Sequence, residues 1–368
     1  MTESAIFRDG IVIPYEEVVR DLSNDTISAG AGIGVSNQFR QIVTLALKLE
    51  ETKYLTGIRW LKELIWETQF TGERVKVIVK RMISDLVLAK RKGQTVAGDL
   101  LRSMTHDGRS NDYASGIFRQ HVFLTSLSDA LSKEADVVLK EIRNIRDKIV
   151  MDLSNIRVHV SCNMDHIRAA HVGEDVIAPW HSSFLPKKLR QTLPAEIVPA
   201  ECRRVEMAHE LVTPDSNPRA VVAGLGSIES CFLQQCVLSI KSMHHEDLPA
   251  VFVLIQYLTQ LEGPMWKQIR GPGLSYGFAI SLPVTSGLMY FTLTKAAQLV
   301  EAYQRAIEII SDHISGKEKW EEGLLESARA SLIFELIERQ NSIPRVSAES
   351  LLSYLKGEVT FVIAQLHY

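Results

Sequence analysis

Between Ile42 and Glu50 the chain alternates, with Val43, Leu45, Leu47 and Leu49 set against Ile42, Thr44, Ala46, Lys48 and Glu50. This is the two-residue period of a strand with one buried face, and strand-like sequence is expected from Thr26 to Glu50. Ahead of it, Pro14 to Leu22 reads as a short helix, with proline tolerated in the first turn and Glu16 and Glu17 suited to the positive N-terminal end. Residues 54 to 150 change to helical spacing, marked by Val75, Ile78, Val79, Met82 and Leu86, with helices expected over about 54–70, 94–105, 111–131 and 133–149. Alternation returns at Asn155–Cys162, where Ile156, Val158 and Val160 face one way. A passage with Pro179, Pro186, Pro194, Pro199, Pro214 and Pro218 then reads as a linker over 176–218. Beyond it come strand-like Arg219–Ile240, a helix from about Leu248 to Arg270, a strand through Tyr276, its partner Leu288–Leu293, and helices at about Lys295–Ser315, 318–341 and 347–356.

The order of elements repeats. Pro14-Tyr15-Glu16-Glu17-Val18-Val19-Arg20 before Thr26–Ile33 echoes Pro264-Met265-Trp266-Lys267-Gln268-Ile269-Arg270 before Leu274–Ile280, and a hairpin and several helices follow in each case. Duplication of one α+β unit accounts for this economically. The fold class expected is therefore α+β: two homologous domains at 1–175 and 219–368, each an antiparallel-rich sheet against several helices. The second copy has a strand and a helix ahead of Pro264, whereas thirteen residues precede Pro14, so the first copy is expected to lack its opening strand and helix. A sheet short of a strand exposes unpaired backbone and calls for another segment or partner.

Composition changes this picture little. At 368 residues, with 46% hydrophobic and 23% charged positions, the chain has room for about two domains with sizeable cores. A net charge of -3 and a pI near 6.4 leave no basic field for nucleic acid. No apolar run is long enough to span a bilayer, and Met1–Gly10 has neither the apolar core of a secretory signal nor the Arg-rich, acid-free character of a transit peptide. Cys162, Cys202, Cys231 and Cys236 lack C-x-x-C spacing, which argues against a zinc knuckle or disulfide framework and makes the cytoplasm the default location.

Candidate chemistry concentrates in Gly263–Ile280, read as a helix ending at Arg270, a Gly/Pro turn and a strand carrying Tyr276. Arginine presents a permanently charged planar fork and tyrosine a hydroxyl on a stiff ring, so the pair suits a peptide carbonyl or carboxylate. The ordinary alternative is that Arg270 caps its own helix and Tyr276 is a half-buried strand aromatic. Gly30-Ala31-Gly32-Ile33-Gly34 resembles a phosphate loop only superficially, because a helix precedes it and strand-like sequence follows; close-packed strand glycines are expected instead. Among eleven histidines, His244-His245-Glu246, His209-Glu210 and the His166, His171 and Glu174 group lack the i, i+4 spacing that sets two imidazoles on one metal.

Asp9-Gly10 with Ile13–Val19, Leu55 with Trp60–Leu64, Ile156–Val160, and above all Ile269-Arg270-Gly271-Pro272-Gly273-Leu274-Ser275-Tyr276-Gly277 resemble the C-terminal half of the pitrilysin/insulinase class of zinc metalloproteases, in its presequence-protease-like branch. The resemblance covers nearly the whole chain, and the Arg-x-x-Gly-x-x-Tyr turn is its most specific part. It implies α+β domains closing as a clamshell over a peptide, with zinc held in the N-terminal half. Arg270 and Tyr276, with Gly271 and Gly273, would then contact substrate from the opposite half. The H-x-x-E-H motif, whose histidines bind zinc and whose glutamate activates water in such enzymes, is absent here. The expected partners are peptides and a zinc-bearing N-terminal half, in cis or in trans, with no catalytic residue or cofactor in this chain itself. A second reading is a non-catalytic peptide-binding or scaffold subunit of the same fold. Under the first reading the mitochondrial matrix stands beside the cytoplasm as a location.

Overall fold

The computed structural model describes residues 2–36, 38–172, 175–191 and 219–356. Glu174, Cys202, His209, Glu210 and the linker prolines Pro194, Pro199, Pro214 and Pro218 lie outside these. The fold is mixed α and β, with small antiparallel sheets. It divides into two compact units, one comprising Met1–Met82, Leu124–Arg203 and Ile343–Tyr368, the other Ile83–Phe123 and Arg204–Ser342.

In the first unit, β1 (Ala5–Arg8) pairs with β2 (Ile11–Ile13) on one side and β5 (Thr68–Gln69) on the other. The expected helix occupies Tyr15–Asp25, with Pro14 as its N-cap. It lays Val18 and Leu22 on Ile6 of β1 and on Trp60 and Leu64, forming one dry cluster. β3 (Ser28–Val35) and β4 (Gln38–Lys48) make a two-stranded ladder from Ser28↔Lys48 to Ile33↔Val43, with an irregularity before Val35↔Gln38. The Gly30–Gly34 run lies in β3, as the alternation implies, but most of it is open rather than close-packed. A Cβ on Gly30 would meet nothing within 4 Å, and only Gly34, at φ +80, is tightly approached. A second cluster joins Tyr54, Ile58, Ile167, Val176, Phe184 and Leu185. Residues 176–191 of the expected linker are thus folded into this core, and the Tyr54 hydroxyl donates to the Val176 carbonyl at 3.0 Å.

Three further sequence expectations are corrected. Residues 156–160 form no strand: Val158 and Val160 are exposed and no ladder partner exists among the described residues, so the apolar alternation lacked a neighbour to pair with. The Leu248–Arg270 helix breaks at Gln260–Gly263; Leu248–Thr259 is α-helical and Trp266–Arg270 a separate π-helical turn. Of Arg219–Ile240, only Cys231–Leu238 is strand. The Val75–Leu86 stripe is covered in part, with Val79 buried and Met82 exposed.

The second unit is built on β6 (Cys231–Leu238), β7 (Ser275–Ser281) and β8 (Leu288–Ala296), ordered β6-β8-β7 and antiparallel throughout. Tyr257 and Leu258 of the Leu248–Thr259 helix, Ala302, Ala306 and Ile309 of the Leu299–Ile314 helix, and Ala328 of the Glu322–Glu338 helix pack on Leu293 of β8. Met265, Ile269 and Leu274 complete this cluster from the two sides of the Gly/Pro turn.

The polar keystone of the first unit is Arg8, whose Nε and Nη2 donate to Glu63 Oε1 and Oε2 at 2.9 and 2.8 Å while its guanidinium lies 4.9 Å from the Trp60 ring. The Glu63 side chain is only 7% exposed, so removing its partner strands a carboxylate in the core. Arg8→Leu is expected to lower stability by about 3 kcal/mol in urea unfolding. Arg8→Leu combined with Glu63→Leu should recover most of that loss, because the double change leaves no buried charge.

Candidate functional site

The turn between helix and β7 is rigid for identifiable reasons. Pro264 and Met265 restart the helix after the break, and the chain widens into a π-helical turn in which the Gly271 N–H reaches the Trp266 carbonyl at 2.9 Å and the Leu274 N–H reaches that of Ile269 at 3.0 Å. Between these bonds the Gly273 N–H returns to the Arg270 carbonyl at 3.0 Å, and Gly273 adopts φ +79, a conformation that a β-carbon disfavours. Met265 and Ile269 are fully buried and Leu274 nearly so, each contributing about 2 kcal/mol of apolar burial. The anchors are dry and the turn between them is exposed.

Across this turn the Arg270 guanidinium stacks 4.6 Å from the centre of the Tyr276 ring. The ring is 63% exposed, so it is not the half-buried strand aromatic of the ordinary reading. Nor does Arg270 cap its helix: among the described residues neither its guanidinium nor the Tyr276 hydroxyl has a hydrogen-bond partner. Five N–H donors and a phenol are thereby presented side by side to solvent. Gly271 and Gly273 shape the turn, but each spends its N–H internally and Pro272 has none. Donors toward a bound oxygen must therefore come from the Arg270 and Tyr276 side chains.

Lys295, absent from the sequence-based set, joins the pair. The sequence pattern puts it at the start of a helix; the structure puts it on β8, directly across from Tyr276 between the Ser275↔Ala296 and Gly277↔Thr294 pairs. Its Nζ lies 5.5 Å from the Tyr276 ring centre, on a backbone with φ +51. On the β6 side, pairing steps from Cys231↔Ala296 to Leu233↔Leu293, so β8 carries one extra residue there, a β-bulge. The buried Ser275 hydroxyl steadies the ladder by donating to the Gly277 carbonyl at 2.9 Å or the Thr294 carbonyl at 3.1 Å.

The histidine candidates are dispersed. His166 Nδ1 lies 3.1 Å from Glu51 Oε2 at the surface, and His245 Nδ1 accepts the Asp247 N–H at 3.2 Å. Among the described residues no three His, Cys, Asp or Glu side chains gather as a metal would require. No helix among them is long and apolar enough to cross a membrane.

No protein-family model matches the chain. It is 24% identical over 375 residues to the protein named Uncharacterized protein C3H1.02c of Schizosaccharomyces pombe, which covers 96% of this chain and 34% of the relative. Uncharacterized protein C05D11.1 of Caenorhabditis elegans is likewise 24% identical, over 95% of this chain and 34% of its own length. The chain thus spans about a third of the length of the curated relatives it matches. Among solved structures, a conserved protein from Enterococcus faecalis V583 superposes with TM-score 0.59 at 14% identity over 95% of this chain and 76% of that one, a likeness of fold.

The turn makes its own prediction. Gly273→Ala places a β-carbon at positive φ and is expected to cost about 1 kcal/mol in chemical denaturation, whereas Gly273→Asn, which tolerates that region, should cost less. Equal stability of both variants and the parent would show that the turn is not held as described.

Proposed function

We propose that this chain is the C-terminal, substrate-binding half of a zinc-dependent metalloendopeptidase of the pitrilysin/insulinase class. The observation that carries the reading is the Arg270 and Tyr276 pair, stacked at 4.6 Å, exposed, and held on a turn whose flanks are buried. Side chains so fixed can donate to a peptide oxygen without first losing conformational freedom, which is the requirement for preorganised stabilisation of a developing oxyanion or for gripping a peptide end. Hydrolysis itself is assigned to a zinc site outside this chain, since H-x-x-E-H does not occur in its sequence. That the relatives are about three times as long supports a larger working protein in which another segment supplies the metal. The echo between the helix-turn-hairpin at Tyr15–Lys48 and that at Trp266–Ala296 supports the duplicated architecture of such enzymes.

In this reading Arg270 and Tyr276 bind and orient the peptide and no residue of the chain transfers a proton. Purified by itself and supplied with zinc, the chain is expected to hydrolyse no peptide; zinc-dependent turnover by the isolated chain would contradict the assignment. In the complete protein, or in this chain reconstituted with the zinc-bearing segment, Arg270→Ala and Tyr276→Phe should each lower kcat/KM for peptide cleavage by about tenfold to a hundredfold. Unchanged cleavage in both variants would leave the fold with a non-catalytic, scaffolding role.

A further inference from the structure

The geometry points to Lys295 as a third binding residue that, with Arg270, reads a carboxylate on the bound peptide and so gives the site a preference for acidic substrates. This rests on the peptide-binding reading of the Arg270 and Tyr276 pair and extends it to substrate class.

Three observations carry the inference. The Arg270 guanidinium and Lys295 Nζ lie 4.6 and 5.5 Å from the centre of one exposed phenol ring, and among the described residues neither cation has a carboxylate partner. Two cations on one ring repel each other, and an anion placed against both relieves that repulsion. Second, Lys295 holds φ +51 at the β8 bulge, a conformation unfavourable for a side-chain-bearing residue, and its Nζ there lies 5.5 Å from the Tyr276 ring centre. A strained non-glycine residue beside an exposed pair of donors is the pattern of a side chain aimed for binding. Third, Lys295 also lines a cleft of about 570 Å³, whose wall carries Arg91, Lys92 and Phe232 and a single acid, Glu229. A peptide running from the Tyr276 ring along this cleft meets more cations than anions, with the Phe232 ring for an apolar side chain.

The carboxylate has two sources, an acidic side chain or the peptide's free C-terminus. The test uses the 368-residue chain and three fluorescently labelled peptides of one length and otherwise one sequence. One is neutral with an amidated end, one carries a central glutamate with an amidated end, and one is neutral with a free C-terminal carboxylate. Anisotropy titrations are run with the parent chain, Lys295→Asn and Lys295→Arg. At least one carboxylate peptide is expected to bind about fivefold more tightly than the neutral amide, and the preferred arm identifies the source. Lys295→Asn, which suits the left-handed backbone, should bring that ratio close to one by weakening the carboxylate peptides more than the neutral one. Lys295→Arg should retain the preference, and high salt should weaken it. Lys295→Gly serves as a second neutral variant, both being checked by circular dichroism melting. A neutral peptide bound as tightly as both acidic ones, or a preference that survives Lys295→Asn and Lys295→Gly, overturns the inference while leaving peptide binding intact. Binding of none of the three overturns the peptide-binding reading as well.

Discussion

The second unit depends on the burial of Met265, Ile269 and Leu274 on the two sides of one exposed turn. Apolar side chains in a dry cluster are closely packed and resist displacement, so they hold the backbone that carries them. Arg270 follows Ile269 directly, and Tyr276 lies two residues beyond Leu274. The positions of the Arg270 and Tyr276 backbones are thus inherited from the core, and the stacking contact joins their side chains. The hydrogen bonds inside the turn reinforce this by consuming the N–H groups of Gly271, Gly273 and Leu274, leaving only side chains to meet a ligand.

The two cations in this unit are treated differently from Arg8 in the other. Arg8 is satisfied twice over by Glu63 and stacks on Trp60, the arrangement of a structural arginine in a low-dielectric setting. Arg270 and Lys295 share an aromatic ring but have no counter-ion among the described residues, and both remain at the surface. Stability alone favours the first pattern. The second leaves both cations solvated at the surface, where the proposed function has them meet a ligand.

Much of this was legible in the residues and some was not. The Gly271-Pro272-Gly273 turn, the strand through Tyr276 and the candidate pair were readable because glycine, proline and period-two alternation act locally. Lys295 escaped because the bulge on β8 depends on the register with β6, and the sequence after Leu293 runs smoothly into the helix that begins at Leu299. The break at Gln260–Gly263 was hidden by apolar spacing that continues across it, although Gly263-Pro264 was a signal that could have found it. At 156–160 the same alternation that identified β4 gave no strand, since a strand requires a neighbour to accept its backbone hydrogen bonds and none is supplied among the described residues. The Arg8 and Glu63 pair spans 55 positions and has no local trace.

The central claim, that the chain works as one half of a zinc peptidase, is tested most directly by the composition of the native product. An antibody raised against Arg219–Ser342 would isolate that product from source cells under conditions that preserve complexes, and mass spectrometry would read every polypeptide present. The account predicts an H-x-x-E-H sequence either in the same polypeptide, well above 41.3 kDa, or in a stoichiometric partner, with zinc bound. A product at this chain's own mass with no such partner would contradict it.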